Sequence, residues 1–180
     1  MDDALKKVLT TLGGAGALAI AAALGAYFEG TGPTQRNPTT GELFYVPYRD
    51  SGGILTVCRG VTGPDIVDKK RYSEDECEAL EGAHYAVAEA SARRMFPGYA
   101  SYNEWQQAAL LDWLYNLGEN RMTWESTLRR KFNAGDVDGG CDELVRWVNG
   151  RVRGRLTRLT GLVNRREATR ELCKNWSTTK

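Results

Sequence analysis

The chain has 180 residues, 42% hydrophobic and 26% charged, with five Trp and eight Tyr. This composition fits one folded domain, or a small domain packed on a larger one, and excludes a low-complexity or disordered chain. Twenty-four Lys and Arg against 23 Asp and Glu leave a net charge of +1, which argues against nucleic acid as a partner and gives no whole-molecule pull toward an anionic polymer. The charge is unevenly placed. Glu74, Asp75, Glu76, Glu78 and Glu81 crowd residues 73–81, whereas 146–170 is rich in Arg, either as a solvated face or as one that helps hold an anionic glycan.

Val8 to Phe28 is a run of 21 residues without a charge, preceded by Lys6 and Lys7 and followed directly by Glu29. About 20 apolar residues cross the hydrocarbon of a bilayer, and lysines on the leading flank favour a cytoplasmic N-terminus. As a span the run is weak. Gly13, Gly14, Gly16, Gly25 and many alanines add little transfer energy, and Thr10 and Thr11 oppose it. Three readings fit: a marginal span that inserts and later leaves; a cleaved signal peptide, with Ala21–Ala23 and Ala26 offering small residues for cleavage; or a buried Ala/Gly helix. The first accounts for both the length and the weakness, and is the one expected.

Residues 30–42 read as a loop broken by Gly and Pro. Leu43–Tyr48 and Ile54–Cys58 are enriched in β-branched and aromatic residues around Asp50-Ser51-Gly52-Gly53, which predicts a short hairpin. Helices follow. Ser73 with Glu76 is a capping box for a helix to about Arg94, before Pro97. Ser101 with Glu104 is expected to open the next, with Trp105, Ala108, Ala109, Leu111 and Leu114 on its apolar side and Gly118 as the stop. Shorter helices are predicted near 124–133 and 137–148, and a last one near 160–174. The architecture expected is α+β and mostly helical, a small β-hairpin lobe joined to a larger helical lobe with a cleft between them.

The four cysteines lack Cys-x-x-Cys spacing and His84 is the only histidine, so no metal site is expected. An even count beside an export-like N-terminus favours disulfides in an oxidising compartment. Four cysteines allow three connectivities. Pairing within each half, Cys58 with Cys77 and Cys141 with Cys173, is the economical one, and four buried thiols are the alternative. His84 sits inside the acidic helix with no nucleophile motif near it, which predicts a solvent-facing or half-buried structural residue.

Cleaving a glycosidic bond needs an acid for the leaving oxygen and a second group to handle water or the sugar cation. A carboxyl at a helix C-terminus suits the acid, because the negative end of the macrodipole disfavours ionisation. Glu29 ends the predicted N-terminal helix. Asp50 lies in a glycine-rich turn, where backbone amides stabilise a carboxylate, and Thr56 sits across the hairpin with a hydroxyl suited to orienting water. On spacing alone these three read first as surface polar residues, and the constellation is only a modest signal.

The motifs Phe28-Glu29-Gly30, Tyr48-Arg49-Asp50, Thr56-Val57-Cys58-Arg59-Gly60, Tyr115-Asn116-Leu117-Gly118, Ser126-Thr127-Leu128-Arg129 and Asn164-Arg165-Arg166-Glu167 occur in this order over residues 27–176. Carrying them, the chain resembles phage lysozymes of glycoside hydrolase family 24, and among them the signal-anchor-release endolysins of lambdoid phages. The resemblance implies an endolysin that hydrolyses the β-1,4 bond between N-acetylmuramic acid and N-acetylglucosamine in peptidoglycan with inversion, without a cofactor, as a monomer. It implies Glu29 as general acid, Asp50 as partner carboxylate, Thr56 as the water-holding residue, Asn116 as a substrate contact, with a packing role as its equal alternative, and Arg165 as the partner of the acid. Residues 1–28 would be the signal-anchor-release segment and 29–180 the lysozyme-like domain, with a β-lobe over about 29–72 and a helical lobe over about 73–180. The enzyme would first sit at the host inner membrane, N-terminus cytoplasmic and enzyme domain periplasmic, and then become soluble in the periplasm.

Two positions depart from the family pattern. Twenty residues separate Glu29 from Asp50, a longer interval than the family keeps, and the Gly/Pro-rich loop at 30–42 accommodates the surplus. Glu42 is therefore a rival acid, though it lacks the following Gly and the preceding helix. Val61 stands where the family often carries His. A membrane-lesion or wall-binding protein without catalysis, and a lytic transglycosylase, are the competing functions; the Glu29, Asp50 and Thr56 set favours hydrolysis.

Overall fold

The structure, a computed structural model, describes residues 1–50, 52–152 and 154–175. The uncharged N-terminal run is not one helix. Helix α1 (Asp3–Thr11) is capped by Asp2, whose carboxylate accepts the Leu5 amide at 2.9 Å, and α2 spans Ala17–Glu29. Between them Gly14 and Gly16 take φ of +83° and +90°, a left-handed backbone that glycine adopts without strain. Their amides donate to the Glu104 carboxylate at 2.9 and 3.2 Å. Among the described residues no helix is long and apolar enough to cross a membrane.

Both helices are built into the main core. Leu5, Leu9, Ile20 and Leu24 are at most 1% exposed, packed with residues of α3 (Glu74–Met95), α4 (Glu104–Leu117) and α8 (Thr160–Asn175). At about 1.5–3 kcal/mol for each fully buried side chain, these four contribute on the order of 6–12 kcal/mol as an upper bound. A domain's net stability is only about 5–15 kcal/mol, so the helical lobe is incomplete without its N-terminal segment.

The β-lobe holds two small antiparallel sheets. β1 (Thr34–Arg36) pairs with β2 (Leu43–Tyr45), and β3 (Tyr48–Arg49), β4 (Leu55–Val57) and β5 (Val61–Thr62) form the other. The expected hairpin around Asp50 forms as β3–β4, but its first strand is only Tyr48–Arg49; Leu43–Tyr45, expected in that strand, pairs instead with Thr34–Arg36 in the other sheet. Residues 30–42, read as irregular, instead contribute β1 and its turn, where the Asn37 side chain accepts the amides of Thr39 and Thr40. Tyr45, Val57, Val61, Ile66 and Tyr72 make a second, smaller core, closed by the Cys58–Cys77 disulfide. Cys141–Cys173 ties α7 (Val137–Asp142) to α8. Both pairs are those expected.

The capping box of α3 forms as predicted, with Ser73 accepting the Glu76 amide and Glu76 the Ser73 amide. Helix α4 is capped instead by Asn103 with Gln106, because Ser101 is drawn into a 3₁₀ turn over Tyr99–Ser101. The helix expected near 124–133 is divided into α5 (Arg121–Trp124) and α6 (Thr127–Asn133), with Ser126 capping the second. That expected over 137–148 stops at Asp142 and continues as a 3₁₀ turn over Glu143–Arg146. An exposed hairpin of β6 (Asn149–Val152) and β7 (Arg155–Arg158) follows, unforeseen in the Arg-rich stretch.

Candidate active site

Glu29 is the last residue of α2, and Gly30 turns the chain away with φ of +70°. The Glu29 carboxylate is held on two sides. One oxygen pairs with Nη1 of Arg165, and the other faces Gly60, where an added Cβ would lie 3.0 Å away. Gly60 also has φ of +83°, so glycine meets two requirements there: the backbone turn and the close approach of the carboxylate.

Arg165 comes from α8 and is buried. Its Nε donates to Asp112 Oδ1 at 3.0 Å, and its Nη2 lies 2.8 Å from the same oxygen. Asp112, on α4 and fully buried, also accepts from Arg166 Nη1 at 2.8 Å and from the Thr169 hydroxyl at 3.1 Å. Arg166 donates onward to the Asn116 side-chain oxygen. The result is a chain of alternating charge, Glu29–Arg165–Asp112–Arg166, ending on Asn116. Burial pushes the Asp112 carboxyl up, but Arg165 and Arg166 outweigh it and hold it below the usual carboxylate range. Burial likewise works against the Arg165 charge, and Asp112 and then Glu29 more than restore it.

Asp50 lies in the β3–β4 turn, half-buried, with Oδ1 accepting the amides of Gly52 at 2.8 Å and Ile54 at 2.9 Å. Among the described residues no hydrogen bond reaches its Oδ2. Thr56 is 2% exposed and its hydroxyl donates to the Ile54 carbonyl at 3.0 Å. Tyr48 lies opposite Thr56 in the ladder, and its phenol is raised first by burial, then by Glu29 and by Asp50. Glu29 and Arg165 thus meet directly, and Asp50, Thr56 and Tyr48 share one hairpin. Glu42 is exposed at the start of the segment leading into β2, where its backbone closes the β1–β2 turn. His84 is half-buried, its ring 6.3 Å from that of Tyr115.

Asp112 escaped the sequence reading. Its one visible signal was a lone carboxylate inside the apolar run Ala108–Tyr115, a placement that demands a buried partner. Tyr48 belongs to the Tyr48-Arg49-Asp50 motif, which assigns it no role.

The fold has counterparts among solved structures. It is shared with an endolysin from the Escherichia coli O157:H7 phage FAHEc1 at a TM-score of 0.70, with 21% identity over 89% of this chain and 94% of that one. The active form of the P1 phage endolysin Lyz gives a TM-score of 0.67, with 21% identity over 85% of this chain and 82% of that one. In sequence, a SAR-endolysin of Enterobacteria phage P21 is 38% identical over 175 residues, covering 96% of this chain and 97% of its own length. The profile described as Phage lysozyme matches residues 41–169, and the chain belongs to that family.

Proposed function

We propose that this protein is a phage endolysin that degrades peptidoglycan by hydrolysing the bond between N-acetylmuramic acid and N-acetylglucosamine. The observation that carries the reading is the Glu29 carboxyl at the end of α2, aimed by buried Arg165 and closed on by Gly60, in a chain of the phage lysozyme family. Glu29 protonates the glycosidic oxygen as it leaves. Asp50, fixed by two amides on Oδ1, presents Oδ2 to the attacking water, and Thr56 helps hold that water from the β4 side. Attack from the face opposite Glu29 inverts the anomeric centre. Asn116, oriented by Arg166, lines the glycan path.

The N-terminal segment serves two states in this reading. In the inner membrane, residues 8–28 span the bilayer and Glu29 is held at its surface, away from Asp50 and Thr56. After release into the periplasm the segment folds as α1 and α2 against the body, which brings Glu29 to Arg165. Mass spectrometry of the products from purified peptidoglycan tests the chemistry. Reducing muramic ends are expected; anhydro-muramic ends would make the enzyme a transglycosylase, and no cleavage would remove the reading.

A further inference from the structure

Helix α2 is a poor ruler. Ala17, Ala19, Ala21, Ala22, Ala23 and Ala26 are nearly interchangeable knobs, so the register rests on a few large side chains, Ile20 and Leu24 in the core, and on whatever the small residues themselves engage. A slip of one residue would move it about 1.5 Å and turn it about 100°, enough to take Glu29 off Arg165. Gly25 interrupts the alanines although alanine is the better helix former. It is buried, and a methyl group there would overlap the hydroxyl of Tyr85 on α3. That hydroxyl donates to the Ala21 carbonyl at 2.9 Å. Ala21 and Gly25, four residues apart, lie on one face of the helix, and together they form a notch that the Tyr85 hydroxyl fills.

We propose that Tyr85 is a positioning residue for Glu29, seating α2 in a single register through Gly25 and the Ala21 carbonyl. The proposal rests on the reading of Glu29 as the acid. Glu29 follows Gly25 by four residues, about 6 Å along the axis. Tyr85 is 5% exposed, and burial, then Asp112 and Tyr115, push its phenol up, so it stays a hydrogen-bond donor across the neutral range. Its ring stacks on Tyr115 with centroids 4.2 Å apart and planes at 17°. Tyr115 precedes Asn116, and its own phenol is raised by burial, then by Glu81 and by Glu29. One side chain therefore contacts the helix that carries the acid and the α4 residue beside Asn116.

The test uses the full chain and soluble peptidoglycan fragments. Gly25→Ala is expected to lower kcat by up to about 10²-fold with KM little changed, the effect of a small misplacement of the acid. Adding Tyr85→Phe should restore most of that loss, because without the hydroxyl the nearest Tyr85 atom to the new methyl is Cζ at 3.6 Å. Tyr85→Phe alone removes one hydrogen bond and should lower kcat about two- to tenfold; it carries the test if circular dichroism shows Gly25→Ala unfolded. A readout independent of activity is the ¹⁵N spectrum of the Arg165 guanidinium, identified by its response to Glu29→Gln. It should shift in Gly25→Ala and return in the double variant. Wild-type kcat in Gly25→Ala, or a double variant no better than the single, overturns the proposal. An inactive wild type whose Arg165 signals still follow this pattern would overturn the enzymatic reading and leave the positioning role standing.

Discussion

Glu29 and Arg165 lie 136 positions apart and meet in one ion pair, its guanidinium 3% exposed and its carboxylate 28%. The asymmetry matters. Arg165 is fixed from behind by Asp112, so the arginine is the rigid member and the carboxyl at the open side takes its direction from it. The pair also joins the first and last long helices of the fold, α2 and α8. Any event that displaces the N-terminal segment therefore separates Glu29 from Arg165 and, in the proposed reading, from Asp50 and Thr56.

Glu29→Gln keeps the shape of the side chain and removes the carboxyl proposed to donate the proton. Clearing of wall suspensions is expected to fall by about 10²–10⁴-fold with the circular dichroism spectrum unchanged. Glu42→Gln, altering an exposed side chain on the way into β2, should leave clearing near wild type. Loss of activity in Glu42→Gln with retention in Glu29→Gln would transfer the acid role to Glu42.

Asp112 is held below the usual carboxylate range, burial being outweighed by Arg165 and Arg166. A carboxyl with a folded value below its unfolded value of about 3.9 contributes stability that is present above that unfolded value and lost as pH falls through the folded one. Removing this buried partner by Asp112→Asn is expected to cost about 3–5 kcal/mol at neutral pH. It should also flatten the loss of stability expected of the wild type below about pH 4. Urea titrations at pH 7 and pH 3 measure both, and an unchanged midpoint at pH 7 would show that the cluster does not stabilise the fold.

Local chemistry was readable in the sequence. Ser73 and Glu76 announce the start of α3 because a capping box is complete within four residues. Ser101 misled because Asn103 with Gln106 offers the same chemistry two positions later, and only the 3₁₀ turn at Tyr99–Ser101 decides between them. The β6–β7 hairpin has no apolar alternation to reveal it, since it is largely solvated. The pairing of Glu29 with Arg165 followed from family likeness rather than from spacing. The role of Asp112 needed α4 and α8 to be packed, because its partners Arg165 and Arg166 are more than fifty residues away.

The two disulfides should separate by function. Cys58 carries φ of +56° two residues before Gly60, which packs on Glu29, so its bond to Cys77 supports the site as well as the lobe. Cys141–Cys173 closes the helical lobe. Replacing either pair with alanine should cost about 2–4 kcal/mol. Only the Cys58→Ala/Cys77→Ala variant should also clear wall suspensions more slowly well below its melting temperature. Equal activity of the two variants under those conditions would remove the link between that disulfide and the site.

The glycines between α1 and α2 give the control mechanism its sharpest test, because they act differently in the two proposed states. In the bilayer all three weaken the span: each Gly→Leu adds about 3 kcal/mol of apolar transfer at about 0.8 kcal/mol per CH₂. In the packed form Gly14 and Gly16 have positive φ and donate to Glu104, whereas Gly13 is not among the positive-φ glycines. Leucine at 14 or 16 would be held at a positive φ that costs about 1–3 kcal/mol per residue, although the space around both is open. Gly13→Leu should therefore delay release from the membrane while leaving the melting temperature of the released protein nearly unchanged. Gly14→Leu and Gly16→Leu should delay release and also lower that temperature. Cell fractionation, lysis timing after membrane depolarisation and thermal melts read the two effects separately. If all three variants reach the soluble periplasm and lyse on schedule, or if the wild type is found cleaved after Ala23 or Ala26, release of an intact segment is not how this protein is switched on.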